Sequence, residues 1–297
     1  MAALLSRAVQ QLDAAGIDNA RGDARLLLAH VVGCDPGRLF LLDSVSADQL
    51  DDFQRLLGQR AGRVPLQHLT GVAYFRYEQL EVGPGVFVPR PETEVMTGWA
   101  VEQLRRMCAA GRSPLVVELC AGSGAISRSL AHEVPGAVVH AVELSEEAAR
   151  YAATNLAGTS VTLHVQDMAT ALPELDGSVD LVIANPPYVP LDAYLSVSAE
   201  ARDHDPTLSL FSGADGLDAL RVVAEVAGRL LVGGGLVCAE HAEVQAESAP
   251  AVFVSSGSFG SVRDHRDLAE RPRYLTAVRR FAVGSGPGRV WQDGPRE

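Results

Sequence analysis

The stretch PLVVELCAGSGAISRSLAHE, residues 114–133, decides the fold. Its apolar run is interrupted only by Glu118, small residues fill Cys120–Gly124, and helical spacing then takes over. An almost continuous apolar run suits a strand buried on both faces, and a small-residue turn into a helix suits a crossover between parallel strands. The alternation continues along the chain. AVVHAVEL (137–144), VTLHV (161–165), VDLVIA (179–184) and GGLVCAEH (234–241) read as strands. SGAISRSLAHE (123–133), SEEAARYAATNL (145–156) and DALRVVAEVAGRLL (218–231) read as helices. This order predicts an α/β fold: a Rossmann-like, mostly parallel, doubly wound sheet with helices on both faces.

Ahead of that sheet, residues 1 to about 65 carry helical spacing. It predicts helices over Ala2–Ala15, Ala20–Val32 and Ala47–Leu57, separated by Gly16, by Gly33–Gly37 and by Gly58, with Ser46 capping the third. From Tyr74 to Val88 the pattern becomes YFRYEQLEVGPGVFV, which predicts a β-hairpin turning at Gly83-Pro84-Gly85. A further helix is expected to start near Pro91 or Glu92, with Glu92 and Glu94 at the positive end of its dipole. The expected organisation is a small N-terminal helical domain over 1–70, a hairpin linker over 71–89, the α/β domain over 90–280 and a loosely ordered tail over 281–297.

Composition narrows the chemistry. The chain has 297 residues, 47% hydrophobic and 21% charged, as in an ordinary globular protein. It has no apolar run long enough for a membrane span, and an N-terminus whose Arg7 and Asp13 break any secretory core, so a cytoplasmic protein is expected. The cysteines Cys34, Cys108, Cys120 and Cys238 are scattered without a CxxC pair, which argues against a metal site. Lysine is absent, which excludes a P-loop lysine and Schiff-base chemistry. A net charge of −12 disfavours duplex nucleic acid as a partner.

Three successive strand ends carry residues suited to one adenosine. The first ends in Glu118 and the turn Cys120-Ala121-Gly122-Ser123-Gly124, where backbone and ligand can approach closely. The second ends on Glu143, 19 residues after Gly124, where a carboxylate would chelate ribose hydroxyls. The third ends at Asp167-Met168, an acceptor for an adenine amino group and a side chain to lie against the base; Asp167 as a plain helix cap competes with that role. The phosphate-binding G-x-G-x-x-G is broken at Ser127, so S-adenosyl-L-methionine is expected rather than a dinucleotide.

The fourth strand runs into Asn185-Pro186-Pro187-Tyr188. Asn before Pro is driven into an extended backbone, and Pro186 has no N–H and offers only a carbonyl. The Asn185 side-chain oxygen and the Pro186 carbonyl are expected to accept both hydrogens of one planar –NH₂ group, with Tyr188 as a stacking surface. Such nitrogens are poor nucleophiles, so two acceptors that align the group and favour positive charge on it suit nitrogen methylation. Asn185, Pro186 and Tyr188 are the expected catalytic residues.

At these residues the chain resembles the bacterial glutamine-N5 methyltransferases of peptide-chain release factors. The motifs that carry the resemblance are Arg63-x-Pro65-Leu66-Gln67-His68-x-x-Gly71, Pro89-Arg90-Pro91-Glu92-Thr93-Glu94, the Glu118–Gly124 loop, Asn185–Tyr188, Asp215-Gly216-Leu217-Asp218 and Glu240-His241. The resemblance implies a class I methyltransferase domain, a release factor whose Gly-Gly-Gln glutamine enters the cleft, and an N-terminal domain that helps dock it. It also implies a substrate site built from Asn185, Pro186, Pro187, Tyr188, Arg90 and Glu92. A monomer without metal is expected. The chain departs from the family with Glu at 118 and 143 where Asp is usual, and with Cys120 where Gly is usual. That turn cysteine is not expected to need a positive φ. Met168 stands where some relatives carry an aromatic residue.

Alternatives remain. Adenine-N6 DNA methyltransferases share the tetrad, but would need to flip a base and hold phosphates, against the sign of the charge. Enzymes that methylate a ribosomal protein on glutamine pose the same chemistry; the Arg90–Glu94 run looks closer to the release-factor branch. A non-catalytic module would be marked by loss of Asn185 or of Gly122–Gly124, and both are present. His30, His132, His140 and His164 read as packing or surface residues and His241 as a possible cleft residue. Arg271 and Arg273 are expected either to meet an acidic or RNA-bound partner or to be solvated.

Overall fold

The computed structural model describes residues 1–196 and 198–281; the expected tail over 281–297 lies, but for its first residue, outside them. Four helices open the chain: α1 (Ala2–Ala14), α2 (Ala20–Val32), α3 (Ala47–Ala61) and the short α4 (Leu66–Thr70). Their boundaries follow local chemistry. Asn19 accepts from the Gly22 N–H at the start of α2, and Gly33 closes that helix at φ 68°, where a side chain would be strained. Ser46 and Gln49 cap α3 reciprocally, at 3.1 and 2.9 Å, a motif contributing about 1 kcal/mol. Gly58 does not end α3 as expected; the helix runs through it to Ala61. The extra turn carries Arg60, which is buried against Asp23 of α2 at 2.7 Å. The helix continues in spite of the roughly 1 kcal/mol penalty of an interior glycine. Leu12, Leu27, Leu28 and Phe53 fill a core that belongs to these helices alone.

The hairpin pairs β1 (Val72–Phe75) with β2 (Glu78–Glu81), and its turn is Arg76-Tyr77, with Arg76 at φ 52°. Gly83-Pro84-Gly85 is not the hairpin turn. It forms a separate bend pressed on the later helix Glu146–Leu156, where a β-carbon on Gly85 would overlap Glu147. Tertiary bonds settle the turn's place: the Arg76 guanidinium holds Glu133 at 2.5 and 2.8 Å and the Glu94 carbonyl at 3.0 Å.

The main sheet has seven strands. Helix α5 (Thr93–Ala109) leads to β3 (Leu115–Leu119), α6 (Ala125–Glu133), β4 (Val138–Glu143), α7 (Glu146–Leu156), β5 (Thr162–Val165) and β6 (Val179–Ala184). Short helices α8 (Ala199–His204) and α9 (Thr207–Leu210) precede α10 (Asp218–Leu230), β7 (Leu231–Glu240), α11 (Ser248–Ser255), β8 (Phe259–Arg266) and β9 (Pro272–Arg279). The strand order is β5-β4-β3-β6-β7-β9-β8, with β3 to β7 parallel and β9 antiparallel to both neighbours. The expected doubly wound sheet is present. Strands β8 and β9 were not expected: β8 is the largely polar sheet edge, and the buried part of β9 is only the four residues Tyr274–Ala277.

Every residue of β6 is buried, as a central parallel strand covered on both faces requires. One face packs on α5 and α6 through Met96, Leu104 and Leu130, the other on α10 and α11 through Val223, Leu230 and Phe253. Register then places the site. Leu119 stands opposite both Val142 and Ala184, and Glu143 opposite Val165, so the ends of β3, β4, β5 and β6 open on one edge. The strand order reverses at β3, with β4 on one side and β6 on the other, which is where open α/β sheets bind ligands.

Candidate active site

A cavity of about 810 Å³ opens at that edge. Of the expected residues, Arg90, Glu118, Cys120, Ala121, Gly122, Ser123, Glu143, Asp167, Met168, Asn185, Pro187 and Tyr188 line it. Gly124, Pro186 and Glu92 are not lining residues. Gly124 instead starts α6 at φ 79°, where a β-carbon would meet Leu156 at 3.1 Å. Pro186 is buried, and Glu92 precedes the first residue of α5.

The turn after β3 is held by acids. Glu118 is buried and accepts from both the main-chain N–H, at 2.9 Å, and the hydroxyl of Ser127. Burial pushes its carboxyl up to about 8 against those two bonds, and the nearby charge of Glu143 adds to the rise. Glu143 accepts from the Gly122 N–H at 2.7 Å and from the Ser145 N–H at 2.8 Å, so one carboxylate joins the ends of β3 and β4. Cys120 has φ 60° and its sulfur lies 3.5 Å from that of Met168. The sequence reading did not expect the positive φ; the tight turn imposes it on a residue with a side chain, at about 1–2 kcal/mol. Burial also pushes the Cys120 thiol up, so it stays protonated. Asp167 makes the capping bond, to the Ala169 N–H at 2.8 Å, and lines the cavity as well.

Asn185 leaves β6 beside α5. Its Nδ2 donates to Thr93 Oγ1 at 3.2 Å, and Thr93 donates to Glu240 Oε2 at 2.7 Å. The Tyr188 hydroxyl donates to the other Glu240 oxygen at 3.3 Å, and Tyr188 lines the cavity. Burial pushes the Glu240 carboxyl up to about 7, against those two hydroxyls and Arg273. Burial likewise raises the Tyr188 hydroxyl, which therefore remains a donor.

The loop after Tyr188 is clamped from outside. Gln245 Nε2 donates to the carbonyls of Tyr188, at 3.0 Å, and Asp215, at 3.3 Å. Asp215 in turn binds Arg221 and the Leu217 N–H at 3.1 Å. On the hairpin side, Asn155 of α7 bonds the Glu81 N–H at 2.7 Å, the Glu81 carbonyl at 2.9 Å and the Ser123 carbonyl at 2.9 Å. Arg90 pairs with Asp205 at 2.7 Å and Arg60 with Glu200 at 2.5 Å, which ties the segment of α8 to the N-terminal helices.

Sequence reading assigned no roles to Thr93, Asn155, Glu240 and Gln245. Glu240 had a usable signal, an acid closing an apolar run as Glu143 does; Asn155 and Gln245 had none, since their partners are distant in the chain. His132, His140 and His164 behave as expected, whereas His241, considered for the cleft, lies outside it. His140 and His164 contact each other at 2.9 Å and His132 pairs with Glu78. His241 is buried against Asp264 at 2.8 Å and is not among the cavity residues. Arg273 is not solvated; it is mostly buried and paired with Asp267 at 3.3 Å.

The donor set fits S-adenosyl-L-methionine. Glu143 and Asp167 supply carboxylates at consecutive strand ends, Met168 an apolar surface, and a β-carbon on Gly122 would meet no protein atom within 4 Å. Among the described residues, no cluster of three or more His, Cys, Asp or Glu side chains suits a metal ion, and no helix is long and apolar enough to cross a membrane.

Known proteins match this chain along most of its length. Residues 3–71 match the PrmC N-terminal domain and residues 116–204 a methyltransferase domain. A release factor glutamine methyltransferase of Streptomyces coelicolor is 48% identical over 273 residues, covering 92% of this chain and 96% of that one. One of Mycolicibacterium smegmatis is 44% identical, covering 93% and 96%. A 4-amino-L-phenylalanine/4-methylamino-L-phenylalanine methyltransferase of Streptomyces pristinaespiralis is 42% identical, covering 94% and 95%. With the helical unit, the wound sheet and the Asn185–Tyr188 cavity in one chain, and near-complete relatives above 40% identity, this protein belongs to the release factor glutamine methyltransferase family.

Proposed function

We propose that the chain methylates the side-chain amide nitrogen (N5) of the glutamine in the Gly-Gly-Gln motif of peptide-chain release factors, using S-adenosyl-L-methionine. The observation that carries this reading is the opening of Asn185, Pro187 and Tyr188 into the same cavity as Glu143 and Asp167. When bound, the cofactor supplies a methyl group on a positively charged sulfur. Glu143 and Asp167 bind its polar groups, and the Gly122 turn leaves it room. The Asn185 oxygen accepts an amide hydrogen, and Tyr188 lies against the planar amide; Pro186, buried outside the lining, fixes the backbone between them. That acceptor favours the nitrogen as it becomes positive, before its proton leaves to water. Arg90 is a contact for the substrate at the cavity wall, and Glu92 acts only from behind it.

On this reading the helices of residues 1–70 dock the release factor, and residues 90–280 carry the transfer. The protein works as a cytoplasmic monomer; its net charge of −12 supports a protein substrate over duplex nucleic acid. The test is transfer of labelled methyl from S-adenosyl-L-methionine to purified release factor. Label is expected on the intact factor and lost when its Gly-Gly-Gln glutamine is replaced by alanine; label on a ribosomal protein or DNA instead would overturn the assignment.

A second reading has one observation behind it. The relative named for 4-amino-L-phenylalanine aligns over 95% of its length at 42% identity, and an arylamine also presents a planar –NH₂ group. Efficient methylation of 4-amino-L-phenylalanine with no label on release factors would favour it.

A further inference from the structure

Asn185, Thr93, Glu240 and Tyr188 form one polar chain in the cavity wall, and its direction follows from counting protons. Thr93 has a single hydroxyl proton, and a carboxylate can only accept. Thr93 donates that proton to Glu240 at 2.7 Å, so towards Asn185 its oxygen can only accept. The amide nitrogen of Asn185 is thereby held against Thr93, and the amide oxygen is left for the cavity. The second Glu240 oxygen is occupied by the Tyr188 hydroxyl. A carboxamide is nearly symmetric in shape, so packing alone does not choose which end faces the cavity; the hydroxyl relay does.

We propose that Thr93 and Glu240 are positioning residues that hold the Asn185 carboxamide with its oxygen towards the substrate nitrogen. This rests on the reading that the Asn185 oxygen accepts an N–H of a planar –NH₂ group. A proton on Glu240 reverses the relay. The protonated acid donates to Thr93, Thr93 donates to the Asn185 oxygen, and the amide turns its own –NH₂ towards the substrate, donor against donor. Glu240 is buried and surrounded by Thr93 and Glu92 at the start of α5, Tyr188 after β6 and Arg273 on β9. Arg273 and the two hydroxyls favour the carboxylate, while burial and Glu92 oppose it. His241, the next residue, turns instead to Asp264.

The experiment compares wild type, Thr93→Val, Thr93→Ser and Glu240→Gln on release factor. Thr93→Val keeps the branched shape and removes the hydroxyl. It is expected to lower kcat about 10- to 100-fold, with the KM for release factor and the cofactor dissociation constant changing less than about threefold. Thr93→Ser restores most of the rate. Wild-type kcat rises with pH through about 7, and Glu240→Gln lacks that limb. The side-chain amide NMR signal of Asn185, assigned by its loss in Asn185→Ala, shifts over the same pH range in wild type and stays still in Glu240→Gln. Wild-type kcat in Thr93→Val, equal loss in Thr93→Val and Thr93→Ser, or an Asn185 signal indifferent to pH in wild type would each overturn the relay. Failure of the wild-type enzyme to label release factor would instead overturn the functional reading, and the NMR measurement separates the two.

Discussion

Gly216 lies against the main-chain oxygen of Tyr188, nearer than a side chain permits. A β-carbon there would overlap that oxygen, come within 2.7 Å of Gln245 Nε2 and within 3.0 Å of Pro190 Cδ, and sit at φ 75°. The Asp215–Asp218 turn is thus the outer wall of the loop that carries Tyr188.

Gly216→Ala must therefore push the Tyr188 loop inward or open the turn. We expect a loss of about 2–3 kcal/mol in unfolding free energy, from the strained φ and the overlap together. We also expect kcat to fall at least about 10-fold, since misplaced acceptors lose alignment. Denaturant unfolding and steady-state kinetics check both, and a variant equal to wild type in each would show that the turn does not position the loop.

Asn185→Ala removes the amide oxygen and leaves the carboxylates of Glu143 and Asp167 untouched. Methyl transfer is expected to fall by about 100-fold or more, while the cofactor dissociation constant by calorimetry stays within about threefold. Parallel loss of both would move Asn185 from the transfer step to cofactor binding.

Cys120 occupies a backbone conformation that glycine adopts freely. Cys120→Gly should therefore be more stable than Cys120→Ala by about 1 kcal/mol, because only alanine retains the β-carbon strain. Thermal or denaturant midpoints of the two variants give the comparison. Equal stability would mean that the turn relaxes around a side chain.

Glu118 couples stability to pH. Its folded value, raised from 4.5 to about 8 chiefly by burial, lies above that of the free chain. The folded state consequently keeps a proton that the unfolded chain releases, so the contribution is complete below pH 4.5 and is lost as pH rises through about 8. Glu118→Gln cannot titrate and is expected to flatten that part of the stability profile. An unchanged slope between pH 5 and 8 in denaturant titrations would mean that Glu118 is ionised in the fold.

Much of the architecture was legible because it rests on local pattern. The uninterrupted apolar residues of Val179–Ala184 specify a buried strand wherever it sits, and Ser46 with Gln49 caps a helix with bonds made inside one turn. The misread places have distant partners. Gly58 looks like a helix stop until Arg60 is seen against Asp23, 37 residues away. Gly83-Pro84-Gly85 looks like a hairpin turn until Glu133 and Glu94 are seen holding Arg76. Strand β8 carries mixed polar residues because it is the sheet edge, and the two strands are identified only by pairing, β9 with β7 and β8 with β9.

The amino-acid order by itself determined which groups exist at the site: carboxylates at the ends of Glu143 and Asp167, an amide before two prolines, an aromatic ring after them. Parallel strands in a wound sheet must end on one edge, so those groups were bound to meet. Tertiary structure alone decided how they face. The proton of Thr93 goes to Glu240, 147 residues away, and that single bond orients the Asn185 amide. Hydrogen-bond direction depends on the whole chain of partners, which no local stretch contains.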